Sequence, residues 1–417
     1  MRQRRTVQRS IFENYAEHEI GLRLEQISTI LDEQPGILEL IEKDFKDDTL
    51  KNTGRCGMSI ESIFRCLLLK QELQVSYDKL AFLLSDSISY ATFARLDGLA
   101  PKRSSLQHTI RSISPETLEQ VHILIMKNWI DNAEVDCERI RVDSTVTKSN
   151  IAPPSDSQLL SACIRVLSRL FTQSRQCTGI KIRFTDKRKA SKSLAFRIFN
   201  AKKQQKYALY PELLKVARIV DRQAEGAFSK VSSQLLLDEK ANKWLSNVKH
   251  YQYLLRQVMS QTERRVIHGE SVPSSEKIVS IFEEHTDIIV KGFRDIQYGH
   301  KINLSTVENG FVTHVRIENG NPKDSSLYIP VLTYHKDNFE VVPKSSACDG
   351  CYASKQNVKE AREMGVKRSV FSKSLGLGFH DMGVKKKTYE RLKAFRAGVE
   401  ANISELKRCC NYSAMHG

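Results

Sequence analysis

Apolar side chains return at intervals of three and four through residues 10–130, as in IFRCLLLKQEL (63–73) and SYDKLAFLLSD (76–86). That period predicts short helices joined by polar turns. Several in succession suggest a helix-turn-helix module, best placed from Ser59 to Leu96, with a plain helical bundle as the alternative. A basic arm, Arg2, Arg4 and Arg5, would help such a module hold a duplex through its phosphates and one groove.

At CERIRVDST (137–145) the period changes to two. Ile140 and Val142 share one face and Arg139 and Arg141 the other, which predicts a strand ending at Asp143. Helical spacing resumes over about 155–265, including LLSACIRVLSRLF (159–171). Strands are then predicted at KIVSIF (277–282), DIIV (287–290), YGHKINLSTV (298–307) and FVTHVRI (311–317), with VENG (307–310) as a hairpin turn. Residues 322–338 read as helical, FEVV (339–342) as a strand, and SSACDG (345–350) as a strand ending at Asp349. A helix from Lys355 to Met364, a strand RSVFS (368–372) and a terminal helix containing FRAGVEANISELKR (395–408) complete the pattern. The expected architecture is an α/β mixed sheet flanked by helices. It would occupy residues 136–417, with a helical insertion at about 155–265, after an all-helical domain over residues 1–130.

In the terminal helix Leu392, Phe395, Val399, Ile403 and Leu406 fall in one arc, with Arg396, Glu400 and Lys407 in the adjoining sector. Taken alone, Arg396 and Glu400 make a solvated i, i+4 pair of about 0.3–0.5 kcal/mol. Asp143 and Asp349, at the ends of separate strands, could converge with Glu400 in one mixed sheet. Three carboxylates around one edge repel unless a cation sits among them. Hard divalent ions take such oxygen ligands, and paired ions can drive displacement at a phosphodiester.

Composition supplies a matching substrate. Lysine and arginine number 65 against 49 acids, a net charge of +16, which favours a polyanion as partner. Residues 181–206 hold ten basic side chains and one acid, Asp186. The longest apolar runs, CLLL and VHILIM, fall far short of the roughly 20 residues that span a bilayer. The basic start lacks the apolar block of a secretory signal, so a cytoplasmic protein without membrane attachment is expected. Nine scattered cysteines read as reduced thiols. Cys348 and Cys351 form half a zinc site that only Cys409, Cys410 and His416 could complete; ordinary thiols are the simpler reading. GFHDMGVKKK lacks the lysine directly after its second glycine that a phosphate-binding loop needs. His300, His314 and His335 share no ligand spacing and read as structural or exposed, and no paired serine or cysteine nucleophile motif is present.

VDSTVTKSNIAPPSDSQLL, PKDSSLY with ACDGCYASKQNVKEAREMGV, and FRAGVEANISELKR resemble the three catalytic blocks of bacterial insertion-sequence transposases of the DDE type, whose core is ribonuclease H-like. GMSIESIFRCLLLKQELQVSYDKLAFLLSDSISYATFARL resembles their helical N-terminal domain, and YGHKINLSTVENGFVTHVRIENGNPKDS their central strands. The resemblance implies that Asp143, Asp349 and Glu400 are the catalytic, metal-binding triad for two Mg²⁺ or Mn²⁺ ions. It implies that Arg396 and Lys407 touch the phosphates of the transposon end. In such a DNA enzyme the basic run, with Lys187, Arg188 and Lys189, would add phosphate contacts. Partners would be double-stranded DNA, both terminal inverted repeats and target, and a second copy of the chain in a nucleoid-associated homodimer. The reaction would be metal-dependent end cleavage and strand transfer. The family's tyrosine position holds Lys393, with Tyr389 and Phe395 nearby, and the chain stops at Gly417 where relatives commonly continue, as a shortened copy would. A non-catalytic DNA-binding remnant and a host metal-dependent nuclease stay open as alternatives.

Overall fold

The computed structural model describes residues 18–46, 57–96, 100–233, 238–291, 295–372, 376–409 and 414–415. The predicted basic arm lies outside them. Seven helices come first: α1 (Glu19–Asp32), α2 (Gly36–Glu42), α3 (Ile60–Leu73), α4 (Tyr77–Asp86), α5 (Ile88–Phe93), α6 (Arg103–Arg111) and α7 (Pro115–Asp131). Serine caps start several of them. The side chains of Ser59, Ser76, Ser87 and Ser114 each accept the backbone N–H three residues on, which meets an otherwise orphaned donor. Leu24, Ile37, Ile41, Ile63, Leu69, Leu80, Phe93 and Leu106 form their shared core. Within that core lies a charge cluster that the helical pattern gave no hint of. Arg65 is 1% exposed; its Nε donates to Glu61 Oε1 at 2.9 Å, Nη2 to Asp32 Oδ1 at 2.9 Å and Nη1 to Ser28 Oγ at 2.8 Å. Arg95, held at a left-handed φ of 48°, donates to the same two carboxylates.

The chain forms two compact units: Met1–Thr145 with Ile302–Arg316 and Pro322–Ser413, and Val146–Lys301 with Ile317–Asn321 and Ala414–Gly417. The second is built on α8 (Asp156–Thr178), α9 (Arg188–Asn200), α10 (Lys203–Ser232) and α11 (Glu239–Thr262). Their interior is a continuous apolar cluster around Leu160, Leu167, Leu213, Val220, Val248 and Leu255. Trp244 lies in it and gives its indole N–H to the Leu170 carbonyl at 2.9 Å.

The strands are β1 (Arg139–Ser149), β2 (Asp287–Lys291), β3 (Asp295–Thr306), β4 (Val312–Glu318), β5 (Ser345–Asp349) and β6 (Arg368–Ser372). Their order is β2-β3-β1-β5-β6, with β4 also on β3. β1, β5 and β6 run parallel and β2 and β3 antiparallel, so the sheet is mixed as expected. The boundary between the two units falls inside β1, β3 and β4. The turn at VENG forms: Gly310 donates to the Val307 carbonyl at 3.1 Å with φ +86°, a conformation that suits glycine.

Three strand predictions need correcting. β1 does not stop at Asp143 but runs on to Ser149, because Thr145, Val146 and Thr147 are β-branched and buried. KIVSIF is irregular; Val279 and Ile281 are buried, and Ile281 packs into the four-helix core instead of a ladder. FEVV is also not a strand: Phe339 ends α12 (Tyr328–Phe339), and Glu340 takes a left-handed φ of 58° as its cap.

In the first unit helices cover both faces of the sheet. Ile140, Val142, Cys348 and Phe371 meet α12 and α13 (Lys355–Glu363) through Val331, Leu332, Val358 and Ala361. On the opposite face Ala347 and Val370 meet Leu392, and Ile302 and Leu304 meet Val399. These belong to the last helix, α15 (Lys386–Cys409), which follows the one-turn α14 (Phe379–Met382). The apolar stripe read from the sequence is thus the packing face of α15.

The three candidate histidines are all buried. His335 lies with Nε2 3.0 Å from Ser305 Oγ and 3.1 Å from Thr313 Oγ1. Burial lowers its pKa to about 3, and burial followed by Arg316 lowers that of His314 to about 4. A lowered folded-state value means that the unfolded chain takes up protons first. Stability is therefore full above about pH 6.5 and is lost as pH falls towards 4. Urea unfolding at stepped pH should show this loss, and His335→Gln should make it shallower; an equally steep loss in the variant would assign it elsewhere.

Candidate active site

Asp143 and Asp349 meet because of strand register. β1 and β5 are parallel neighbours with Arg139 opposite Ser345 and Val142 opposite Cys348. One step further, Asp143 and Asp349 stand side by side on strands about 4.8 Å apart. Side chains alternate across a strand, so the residues flanking them, Val142 and Cys348, turn into the α12 and α13 layer. The acids turn to the face that α15 covers.

From α15, Arg396 reaches all three candidate acids. Its Nη2 is 3.0 Å from Asp143 Oδ2 and 3.9 Å from Asp349 Oδ1, and its Nη1 is 3.1 Å from Glu400 Oε1. Three carboxylates around one guanidinium leave a formal excess of two negative charges. Exposure increases across the group: the side chains of Asp143, Asp349 and Glu400 are 14%, 34% and 65% accessible. Burial pushes the Asp143 carboxyl above its usual value, Arg396 and the Ser144 N–H pull it back, and Asp349 adds to the rise. A carboxylate so placed is short of positive charge.

A fourth acid, missed in the sequence although it lies in PKDSSLY, adjoins the group. Asp324 accepts the Ser144 hydroxyl at 2.9 Å, and the Ser144 N–H donates to Asp143 Oδ1 at 2.8 Å. Cys348 is buried, and burial pushes its thiol well above the usual thiol value. Cys351 is exposed, and Cys410 and His416, which a zinc site would need, lie outside the described residues. Among the described residues no group of three or more histidine, cysteine, aspartate or glutamate side chains stands in ligand-ready geometry. The three acids close on Arg396 instead. Their donor chemistry, all carboxylate oxygen with excess negative charge, is the kind that hard divalent cations take.

Lys407 lines a pocket of about 190 Å³ with His122, Ile302, Leu304, Ile403 and Leu406. Lys187 to Lys189 open α9 in the second unit. There Arg188 is held by Asp186 through contacts of 2.7–3.0 Å, while Lys189 is exposed.

Residues 12–112, which take in α1 to α6, match the transposase domain family (DUF772). The match spans about a quarter of the chain. It agrees with the resemblance to insertion-sequence transposases read from the sequence. No curated protein and no solved structure matches the chain. Among the described residues no helix is long and apolar enough to cross a membrane. The transposase domain lies wholly before β1, and all three acids fall after it.

Proposed function

We propose that the protein is a transposase of the DDE type that binds the terminal inverted repeats of its own element, cuts at the element ends and joins them to target DNA. One observation carries this reading: in a chain with a transposase domain, Asp143, Asp349 and Glu400 gather from two parallel strands and a helix around Arg396. On this reading the sheet with α12, α13 and α15 is a ribonuclease H-like core, and α3 to α5 act as a helix-turn-helix on the repeat.

Asp143, Asp349 and Glu400 would hold one or two Mg²⁺ or Mn²⁺ ions. Bound there, the ions would activate water or a 3′-hydroxyl and stabilise the leaving oxygen. The chain's own part is to bind and orient. Arg396, 16% accessible and held by three acids, is the group that turns from carboxylate to phosphate when substrate enters. Lys407 extends that contact about three turns further along α15. Lys187, Arg188 and Lys189 add phosphate contacts in the second unit, and a dimer pairs the two ends beside the nucleoid.

The test uses a labelled duplex carrying the ends of the element that encodes the chain, with Mg²⁺ or Mn²⁺. Wild type should cut at the repeat boundary, and Asp349→Asn and Glu400→Gln should bind without cutting. Binding without cleavage by wild type in either metal would leave a non-catalytic DNA-binding remnant. Cleavage indifferent to the repeat would indicate a nuclease. The basic run has its own readout: Lys187→Ala with Lys189→Ala should lower the slope of log affinity against log salt by about 2, at about 0.9 per phosphate contact. An unchanged slope would remove this helix start from the interface.

A further inference from the structure

Two residues before Asp143, β1 carries a buried cation that the reading above does not use. Arg141 is 7% exposed. Its Nε donates to Thr306 Oγ1 at 2.8 Å, Nη1 to the Phe395 carbonyl at 3.2 Å and Nη2 to Asn402 Oδ1 at 2.7 Å. The guanidinium carbon also sits 5.1 Å from the centre of the Phe395 ring. All three acceptors are uncharged, an uncommon setting for a buried arginine, which normally meets a carboxylate. Two of the three belong to α15 and bracket Arg396 and Glu400 along it.

Between those two residues stands Gly398. A glycine weakens the interior of a helix, yet here a Cβ would lie 1.8 Å from Arg141 Nη1 and 2.7 Å from its Cζ, so that any side chain would make the guanidinium shift and give up hydrogen bonds that hold it. The helix backbone therefore rests on the guanidinium. Asn402 extends the attachment, its Nδ2 donating to the Gly310 carbonyl at 3.2 Å in the turn after β3. Arg141 thus ties α15 to β1 and β3 at the level of the acids, and Asn402 ties it to that turn. An α-helix rotates about 100° per residue, so a slip of a single residue would turn Glu400 away from Asp143.

We propose that Arg141 is a positioning residue: lodged beneath Gly398, it fixes α15 in the register that brings Arg396 and Glu400 to Asp143. Its role rests on the reading of the three acids as ligands of a divalent ion, while the contact itself does not. Both can be measured on the full-length protein. Gly398→Ala places a methyl group where the guanidinium lies, and Arg141→Ala removes that group. Gly398→Ala should lower the unfolding temperature in wild type and lower it far less in the Arg141→Ala background, since the two changes disturb one contact. Arg141→Lys keeps charge without the planar fork and should not restore the contact.

Mn²⁺ binding, followed by loss of the free-ion paramagnetic resonance signal, gives a readout apart from activity. It should weaken by about 10- to 100-fold in Arg141→Ala and Arg141→Lys, as for residues that orient metal ligands. These two variants keep the test available if Gly398→Ala does not fold. Additive losses of stability, or unchanged Mn²⁺ binding in both arginine variants, would overturn the proposal. A wild-type protein that shows the coupling yet binds no Mn²⁺ would overturn the catalytic reading itself, leaving Arg141 as a packing contact.

Discussion

Asp143→Asn is expected to abolish end cleavage, by about 10³-fold or more, and at the same time to raise the unfolding temperature at neutral pH. On the proposed two-ion reading the first effect follows from losing an ion ligand, because a bound ion supplies several kcal/mol of transition-state stabilisation and each 1.36 kcal/mol is tenfold in rate. The second follows from burial. The Asp143 carboxyl is pushed upward chiefly by burial, against the pull of Arg396. A folded-state value above the unfolded one means that the folded protein holds the proton more firmly. This contribution to stability is present at low pH and is lost as pH rises through the folded value. Asparagine keeps the shape and has no charge to desolvate, though its single carbonyl oxygen can take the place of only one of the two Asp143 oxygens that accept from Arg396 and the Ser144 N–H. Thermal scans without divalent ions should place the variant above wild type at pH 7, with the gap closing near pH 4. A variant less stable than wild type at pH 7 would mean that the Arg396 pair outweighs burial. Added Mn²⁺ should raise wild type alone, since only a protein that binds the ion gains from it.

The second large effect concerns stability alone. Arg65→Ala is expected to destabilise the helical domain by about 3–5 kcal/mol, the usual cost of removing one partner from a buried charge cluster. Glu61 is 6% accessible and would keep only Arg95, while Asp32 would lose its contact with Arg65. The loss should appear as faster amide hydrogen exchange in α1, α3 and α5, and as weakened repeat binding at 37 °C. Exchange unchanged in α3 would show that Arg95 alone suffices to hold both acids.

The sequence was most legible where one period ran for many residues. The stripe on α15 and the long helices α8 and α11 are of that kind, since each buries one face along its whole length. It was least legible in short apolar runs. FEVV and KIVSIF alternate or cluster as strands do, yet tertiary packing draws them to a helix end and a helical core. The acids could be placed on one sheet edge from the pattern, but that Arg396 bridges all three depends on parallel register between β1 and β5, which no local spacing encodes. Arg141 read simply as the polar side of a strand. Only the approach of Gly398, more than 250 positions away, shows why it is buried. Arg65 was hidden for the same reason: inside IFRCLLLK nothing marks an arginine whose partners come from α1 and from the same helix one turn back.

Arg396 also bears on how this protein would behave when divalent ions are scarce. Its guanidinium already supplies positive charge to all three acids, so folding around them does not wait for an ion. Domains whose metal sites form only on binding fall apart in a chelator. Here EDTA should silence the chain and leave its circular dichroism unchanged, and returning Mg²⁺ should restore activity without a refolding lag. On the proposed reading, such a protein can be made, stored and carried to its DNA intact, with the ion arriving last.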